Sequence, residues 1–385
     1  MIINPREVLS RTETASLYIH IPFCISRCSY CAFFSTVDDA LLRRSYIERV
    51  IHELHALTCR DVPSIYIGGG DPSTLQLEEL SGLLKALEPF SATAQEITIE
   101  MNPEGITHEK LHLLERSPVT RISMGIQSFD PMVRSLLTRR GTTNQVFSAL
   151  DSVRRLTSLK LSADIITAVE GTDPSLTLRD LNVLIDHSTP EHISVYELDI
   201  EEGTDLEKQG SAPSEHDHLT PAWQLLHERG YDHYELSNFC LPGYHGIHNL
   251  RYWDLKPYIG IGCSAVSTIE TDGRYVRVTG IHDVSRFISE GMDASTVEYI
   301  DPPTLFRELI MVSLRTRKGI PLERIAKEFG FDAAQAVKDH CSPLEGRGIM
   351  KGSALTQEGM LFINEVTVGF FELADSLDIK DLPKY

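Results

Sequence analysis

Two rhythms of apolar residues divide the first two hundred positions. Short β-like runs, LYIHIPF (17–23), SIYIGGG (64–70), EITIEMN (96–102), RISMGIQS (121–128), LSADIIT (161–167) and HISVYEL (192–198), alternate with amphipathic stretches such as LLRRSYIERVIHELHAL (41–57) and LEELSGLLKALEPF (77–90). In the second stretch Leu77, Leu80, Leu83, Leu84 and Leu87 fall on one face of a helix. Strand and helix in alternation predict a parallel sheet joined by right-handed crossovers. Six such units predict an α/β fold, a partial (β/α)6 TIM-like barrel. Barrels of this kind carry their chemistry at the C-terminal ends of the strands, and the unusual residues fall there. Three cysteines follow the first run, and Gly68, Gly69 and Gly70 end the second. Glu100 and Asn102 close the third and Gln127 the fourth, while Asp164 lies in the fifth and Tyr196 in the sixth.

The rhythm changes after residue 205. QGSAPSEHD (209–217) is a polar connection rich in breakers, and the segment 234–267 is rich in aromatics, glycine and histidine. From about residue 303 the pattern turns helical, with a small β-wing expected near ALTQEGMLFINE. The expected division is a barrel over 1–205, an extension of it over 206–300 and a mainly helical, winged-helix-like domain over 301–385. A winged helix suggests DNA, but residues 301–385 hold 11 Lys and Arg against 13 Asp and Glu. Phosphate contacts need basic side chains, so nucleic acid is not an expected partner.

Composition narrows the class further. The chain has 385 residues, 42% hydrophobic and 24% charged, the balance of an ordinary globular protein. Its net charge of -19 repels nucleic acid and anionic membrane. No apolar run approaches the roughly 18 residues of a spanning helix, and the opening MIINPREVLSRTETAS lacks the pattern of a signal peptide. The expected compartment is the cytoplasm. Seven cysteines, in a chain too large to need disulfides, point to metal ligation where they cluster.

The cluster is FCISRCSYCAFF, with Cys24, Cys28 and Cys31 spaced C-x3-C-x2-C. Thiolates are soft ligands suited to iron–sulfur clusters or zinc. Three thiolates on a four-iron cluster leave one iron open for a ligand. A structural zinc site, with His20 or another residue as fourth ligand, is the rival. Cys59, Cys240, Cys263 and Cys341 are scattered and read as small apolar residues.

The cysteine spacing resembles the signature of the radical S-adenosylmethionine (SAM) superfamily, in which the open iron holds the amino and carboxylate groups of SAM. Together, LYIHIPFCISRCSYC, YIGGGDPSTL, TIEMNPEG, RISMGIQSFD and YELSNF resemble the oxygen-independent coproporphyrinogen III oxidase family, from about residue 16 to about 365. The resemblance implies a [4Fe-4S] cluster on Cys24, Cys28 and Cys31. It implies SAM pockets lined by Tyr18, Tyr30, Gly69, Gly70, Glu100, Gln127, Arg139, Asp164, Asp199 and Val266. Two places depart from the family: Asp71 stands where threonine is usual, and the loop after the fifth strand reads TAVEGTDP.

Within this family the oxidases carry a fourth cysteine, C-x3-C-x2-C-x-C, whereas the heme chaperone group has an aromatic there and an H-N-x-x-Y-W motif. This chain has Phe33 and HNLRYW at 248–253. The resemblance to that group implies heme as a further ligand and hemoproteins as acceptors, with any membrane contact made through an acceptor. His248 is a candidate axial ligand. Asn249, Tyr252 and Trp253 would complete the heme site, the two rings offering flat faces to a porphyrin. Arg251 would pair with a propionate, and His245 is a second candidate ligand. No side chain is singled out as catalytic. The alternative the family offers is SAM-dependent oxidative decarboxylation of coproporphyrinogen III.

Overall fold

Each of the six β-like runs folds as a strand within two residues of its expected ends. In the computed structural model, which describes residues 4–271, 273–377 and 379, these are β1 (Ser16–Ile21), β2 (Ser64–Gly69), β3 (Glu96–Met101), β4 (Arg121–Gln127), β5 (Lys160–Thr167) and β6 (His192–Glu197). They pair in sequence order and all run parallel. The crossovers are α1 (Ala40–Ala56), α2 (Leu77–Ser91), α3 (His108–Glu115), α4 (Thr143–Arg154) and α5 (Pro174–Ser188). Their starts are fixed by side chains that accept from free helical N–H groups. Asp39 accepts from Leu41 and Leu42 at 3.0 and 2.9 Å, and Asp173 accepts from Ser175 at 2.8 Å.

Residues 206–300 add strands to both edges of the same sheet. β7 (Asp232–His233) and β8 (Asn238–Cys240) extend it antiparallel beyond β6. β9 (Tyr258–Ile261) joins β1 in parallel, followed by antiparallel β10 (Val266–Thr271), β11 (Arg274–Thr279) and β12 (Thr296–Tyr299). The order is β12-β11-β10-β9-β1-β2-β3-β4-β5-β6-β8-β7, with edges that do not meet, so the barrel is partial.

Parallel strands covered on both faces are normally apolar throughout. Here only one face is. Leu17, Ile19, Ile65, Ile67, Ile97 and Ile99 are buried in the main core with Leu80, Leu83 and Leu84 of α2. The alternate positions are polar: Ser64 and Tyr66 on β2, Glu96, Thr98 and Glu100 on β3, Ser162 and Asp164 on β5. Because side chains alternate along a strand, these line the inside of the barrel, which is a polar chamber instead of a packed core.

A short helix, α6 (Ile247–Trp253), precedes β9, and the C-terminal region is helical: α7 (Pro302–Leu314), then Leu322–Phe329, Phe331–Gly346 and Ile363–Ser376. The small wing forms at the front edge of the expected stretch. Met350–Lys351 pairs with Ala354–Leu355 around Gly352, and most of ALTQEGMLFINE is helix. No helix of the described residues is long and apolar enough to cross a membrane.

Candidate functional site

The cysteines sit at the C-terminal mouth of the barrel. Cys24 is on the two-residue strand Phe23–Cys24, which pairs with Thr36–Val37, and Cys28 and Cys31 lie in the loop between. All three are half-buried, whereas the other four cysteines are buried in apolar surroundings. The loop is braced from β4's side by Ser29, whose N–H donates to Thr138 Oγ1 and whose hydroxyl donates to the Leu136 carbonyl, both at 2.8 Å. From β2's side, Gly70 N–H donates to the Ile21 carbonyl at 2.8 Å and Asp71 N–H to the Phe23 carbonyl at 2.9 Å. This approach requires glycine. A Cβ on Gly70 would lie 3.0 Å from Cys24 Sγ, and one on Gly69, at φ +116°, would lie 2.5 Å from the His20 ring.

Behind the loop lies a cavity of about 530 Å3. It brings together Tyr30, Gly69, Gly70, Glu100, Gln127, Arg139, Asp164, Asp199 and the three cysteines, with Phe33, 72% exposed, at its mouth. Arg139 Nη2 donates to Asn102 Oδ1 and the Gly125 carbonyl, both at 2.6 Å, and Nη1 reaches Cys28 Sγ at 3.5 Å. Its Nε is buried with no partner among the described residues. The strand bulges between Gly125 and Gln127, and Gln127 takes a left-handed φ of 69° that turns its side chain into the cavity. Glu100 accepts from the Tyr66 hydroxyl at 2.7 Å and from Gly69 N–H at 3.0 Å. Burial nonetheless pushes Glu100 up to about 7 and Asp164 up to about 6. Both carboxyls are therefore poised for a ligand that supplies hydroxyl donors or a cation.

Other expected residues lie elsewhere. Tyr18 donates to or accepts from His20 Nδ1 at 3.0 Å and stacks on Tyr66, outside the cavity wall. Val266 opens β10, paired with Thr279 and away from the cavity. His20 engages its second nitrogen with the Phe34 carbonyl at 3.0 Å, so neither ring nitrogen is paired with a cysteine. Asp71 caps the turn Pro72–Thr74, accepting from Ser73 N–H at 3.0 Å. The TAVEGTDP loop turns tightly, with Ala168 and Gly171 both left-handed.

HNLRYW forms α6 at the opposite, N-terminal mouth, where it meets the first residues of several strands. His248 Nδ1 pairs with Ser64 Oγ at 3.0 Å and Nε2 with the Tyr252 hydroxyl at 2.9 Å. Burial holds this imidazole down at about 3, the neutral form. The N–H groups of Ile247 and His248 donate to Glu96 at 3.0 and 3.3 Å, and Arg251 Nε donates to Ser16 Oγ at 2.5 Å. Arg121 holds the preceding loop through the carbonyls of Tyr244 and His245 at 2.9 and 3.2 Å. The Trp253 ring carries the Arg315 guanidinium at 5.3 Å. Of the four expected heme-site residues only Asn249 lines the cavity, from below. Six-residue strands at about 3.3 Å per residue separate the two mouths by roughly 15–20 Å.

Sequence reading passed over Tyr66, which holds Glu100, and the inward hydroxyls of Thr98, Ser123, Ser162 and Ser194. The signal was present in the alternation E-x-T-x-E of β3 and its neighbours, polar at every second residue.

The thiols fit a cluster better than a single ion. Among the described residues no three His, Cys, Asp or Glu side chains converge on one metal, and a cubane with one thiolate per iron sets its ligands apart. The thiol of Cys24 is pushed up to about 12 by burial, with Asp71, Cys31 and Cys28 adding; bound iron would relieve that cost. Above it, Gly69, Gly70, Glu100, Arg139 and Asp164 form a cradle of backbone, carboxylate and guanidinium groups suited to an amino acid and a ribose.

Comparison with known proteins agrees with this architecture. The model of the radical SAM superfamily matches residues 18–176, and that of the HemN C-terminal domain matches residues 300–362. The chain is similar to coproporphyrinogen III oxidase (HemN) from Escherichia coli, a radical SAM enzyme, with a TM-score of 0.79 and 21% identity over 95% of this chain and 92% of that one. That likeness carries the fold. In sequence it is 29% identical to heme chaperone HemW of Lactococcus lactis subsp. lactis strain IL1403, over 82% of this chain and 85% of the relative. It is 28% identical to the mitochondrial radical S-adenosyl methionine domain-containing protein 1 of Bos taurus, over 84% and 73%. Its identity to heme chaperone HemW of Escherichia coli strain K12 is 31%, over 91% of this chain and 96% of the relative. At that identity over nearly the whole of both proteins, the chain belongs to the HemW family of radical SAM proteins.

Proposed function

We propose that this protein is a heme carrier built on a SAM-binding iron–sulfur centre. Cys24, Cys28 and Cys31 would hold a [4Fe-4S] cluster, and Glu100, Arg139 and Asp164 would hold SAM in the cavity beside it. Heme is bound in addition and passed to acceptor hemoproteins. Phe33 carries the reading: where the oxidases bring a fourth cysteine, this chain has an exposed ring at the mouth of the cavity. The name heme chaperone borne by its relatives supports it. Heme binds through HNLRYW after α6 shifts. With both imidazole nitrogens engaged, an iron at Nε2 displaces the Tyr252 hydroxyl and an iron at Nδ1 displaces Ser64.

An anaerobic heme titration followed by absorbance, on the native chain, His248→Ala and Tyr252→Phe, tests this. A saturable Soret band is expected, weakened in His248→Ala and equal or stronger in Tyr252→Phe, which frees Nε2. Heme that never saturates on any of the three would leave HNLRYW as a packing motif. Coproporphyrinogen turnover with SAM and a reductant would then decide for the oxidase.

A further inference from the structure

Asp71 is the place where the glycine segment departs from its family, and the structure puts it against the cysteine loop. Its N–H is bonded to the Phe23 carbonyl, one residue before Cys24, at 2.9 Å. The neighbouring Gly70 backbone lies so close that a Cβ there would be 3.0 Å from Cys24 Sγ. Asp71 is 5% exposed and lines the same cavity as the three thiols. One carboxylate oxygen takes the N–H and hydroxyl of Ser73. The titratable groups around it are the Cys24 thiol, Glu100 and Lys110. Lys110 does not form an ion pair with it, because its ammonium donates instead to the carbonyls of Ser73 and Gly105, at 2.5 and 3.2 Å.

We propose that Asp71 is a redox-tuning residue: a carboxylate beside the Cys24 corner that makes the cluster harder to reduce. The inference rests on the cluster reading above. Adding negative charge next to an iron–sulfur centre opposes the arrival of an electron, since net charge, hydrogen bonds and burial set its potential. Reductive cleavage of SAM needs that electron, so Asp71 biases the site toward holding SAM intact. A threonine there would cap the same turn through its hydroxyl without the charge.

The test is an anaerobic, EPR-monitored redox titration of the reconstituted full chain without SAM, on the native protein, Asp71→Asn, Asp71→Thr and Asp71→Glu, with iron content measured for each. Asn and Thr should shift the midpoint to more positive potential at unchanged iron content, and Glu should stay near native. With excess dithionite and SAM, Asp71→Asn should also release more 5′-deoxyadenosine. An unchanged or more negative midpoint in Asp71→Asn overturns the proposal. So does loss of iron in Asp71→Asn, which would make Asp71 an assembly residue. Absence of any cluster in the native protein would instead sink the cluster reading, and this inference with it.

Discussion

The two mouths of the barrel are built from the same strands and end in opposite states. At the N-terminal mouth the polar groups of His248, Glu96, Arg121, Arg251 and Tyr252 meet partners in the protein, with Trp253 Nε1 left unpaired among the described residues. At the C-terminal mouth three thiols stand half-buried, Arg139 Nε is orphaned, and burial raises Glu100 to about 7 and Asp164 to about 6. Buried polar groups without partners cost free energy that a ligand can restore. The contrast sets the upper mouth apart as the candidate ligand site and the lower one as a seat whose polar groups are largely satisfied within the protein.

The largest test separates the mouths outright. Replacing Cys24, Cys28 or Cys31 by Ala should abolish iron and brown colour after anaerobic reconstitution. The unfolding free energy of the iron-free protein should change by no more than about 1 kcal/mol, since all three side chains are half-exposed. Iron retained in all three variants would refute the cluster.

At the lower mouth the expectation is reversed. His248→Ala leaves the Tyr252 hydroxyl without its partner and Ser64 paired with Ser16 alone, at 2.8 Å, and should cost the iron-free protein about 2–3 kcal/mol in urea unfolding. A loss below about 1 kcal/mol would mean that α6 is already loosely seated.

The smallest effect is a pH dependence. Glu100 and Asp164 have ordinary values of 4.5 and 3.8 and folded values of about 7 and 6, so between these limits the native state holds protons the unfolded chain has released. Stability of the ligand-free protein therefore falls as pH rises through that window and flattens above about pH 7. Glu100→Gln should remove on the order of 1–3 kcal/mol of the fall, read as a shallower dependence of melting temperature on pH. A slope unchanged by the substitution would place the proton elsewhere.

Much of this frame was legible in the chain. Runs such as SIYIGGG and EITIEMN end in glycine or asparagine where the parallel strand ends, so their bounds could be read closely. The residues at those ends share a mouth because every strand of a parallel barrel points the same way, which explains why Gly69, Glu100 and Gln127 meet. HNLRYW lacked any such rule. It follows a long connection and caps the barrel from beneath through Ser16, Ser64 and Glu96, residues with no motif of their own. The small wing takes only the first two residues of ALTQEGMLFINE, because a helix starts next, where Thr356 caps Gln357–Met360.

The position of Trp253 has an optical consequence. The chain has two tryptophans. Trp223 is sealed in the core at 2% exposure, a steady background emitter. Trp253 ends α6 beneath Arg315, so its emission reports whether the helix is seated. The protein thus carries its own fluorescent gauge of the lower mouth, readable in real time without a label.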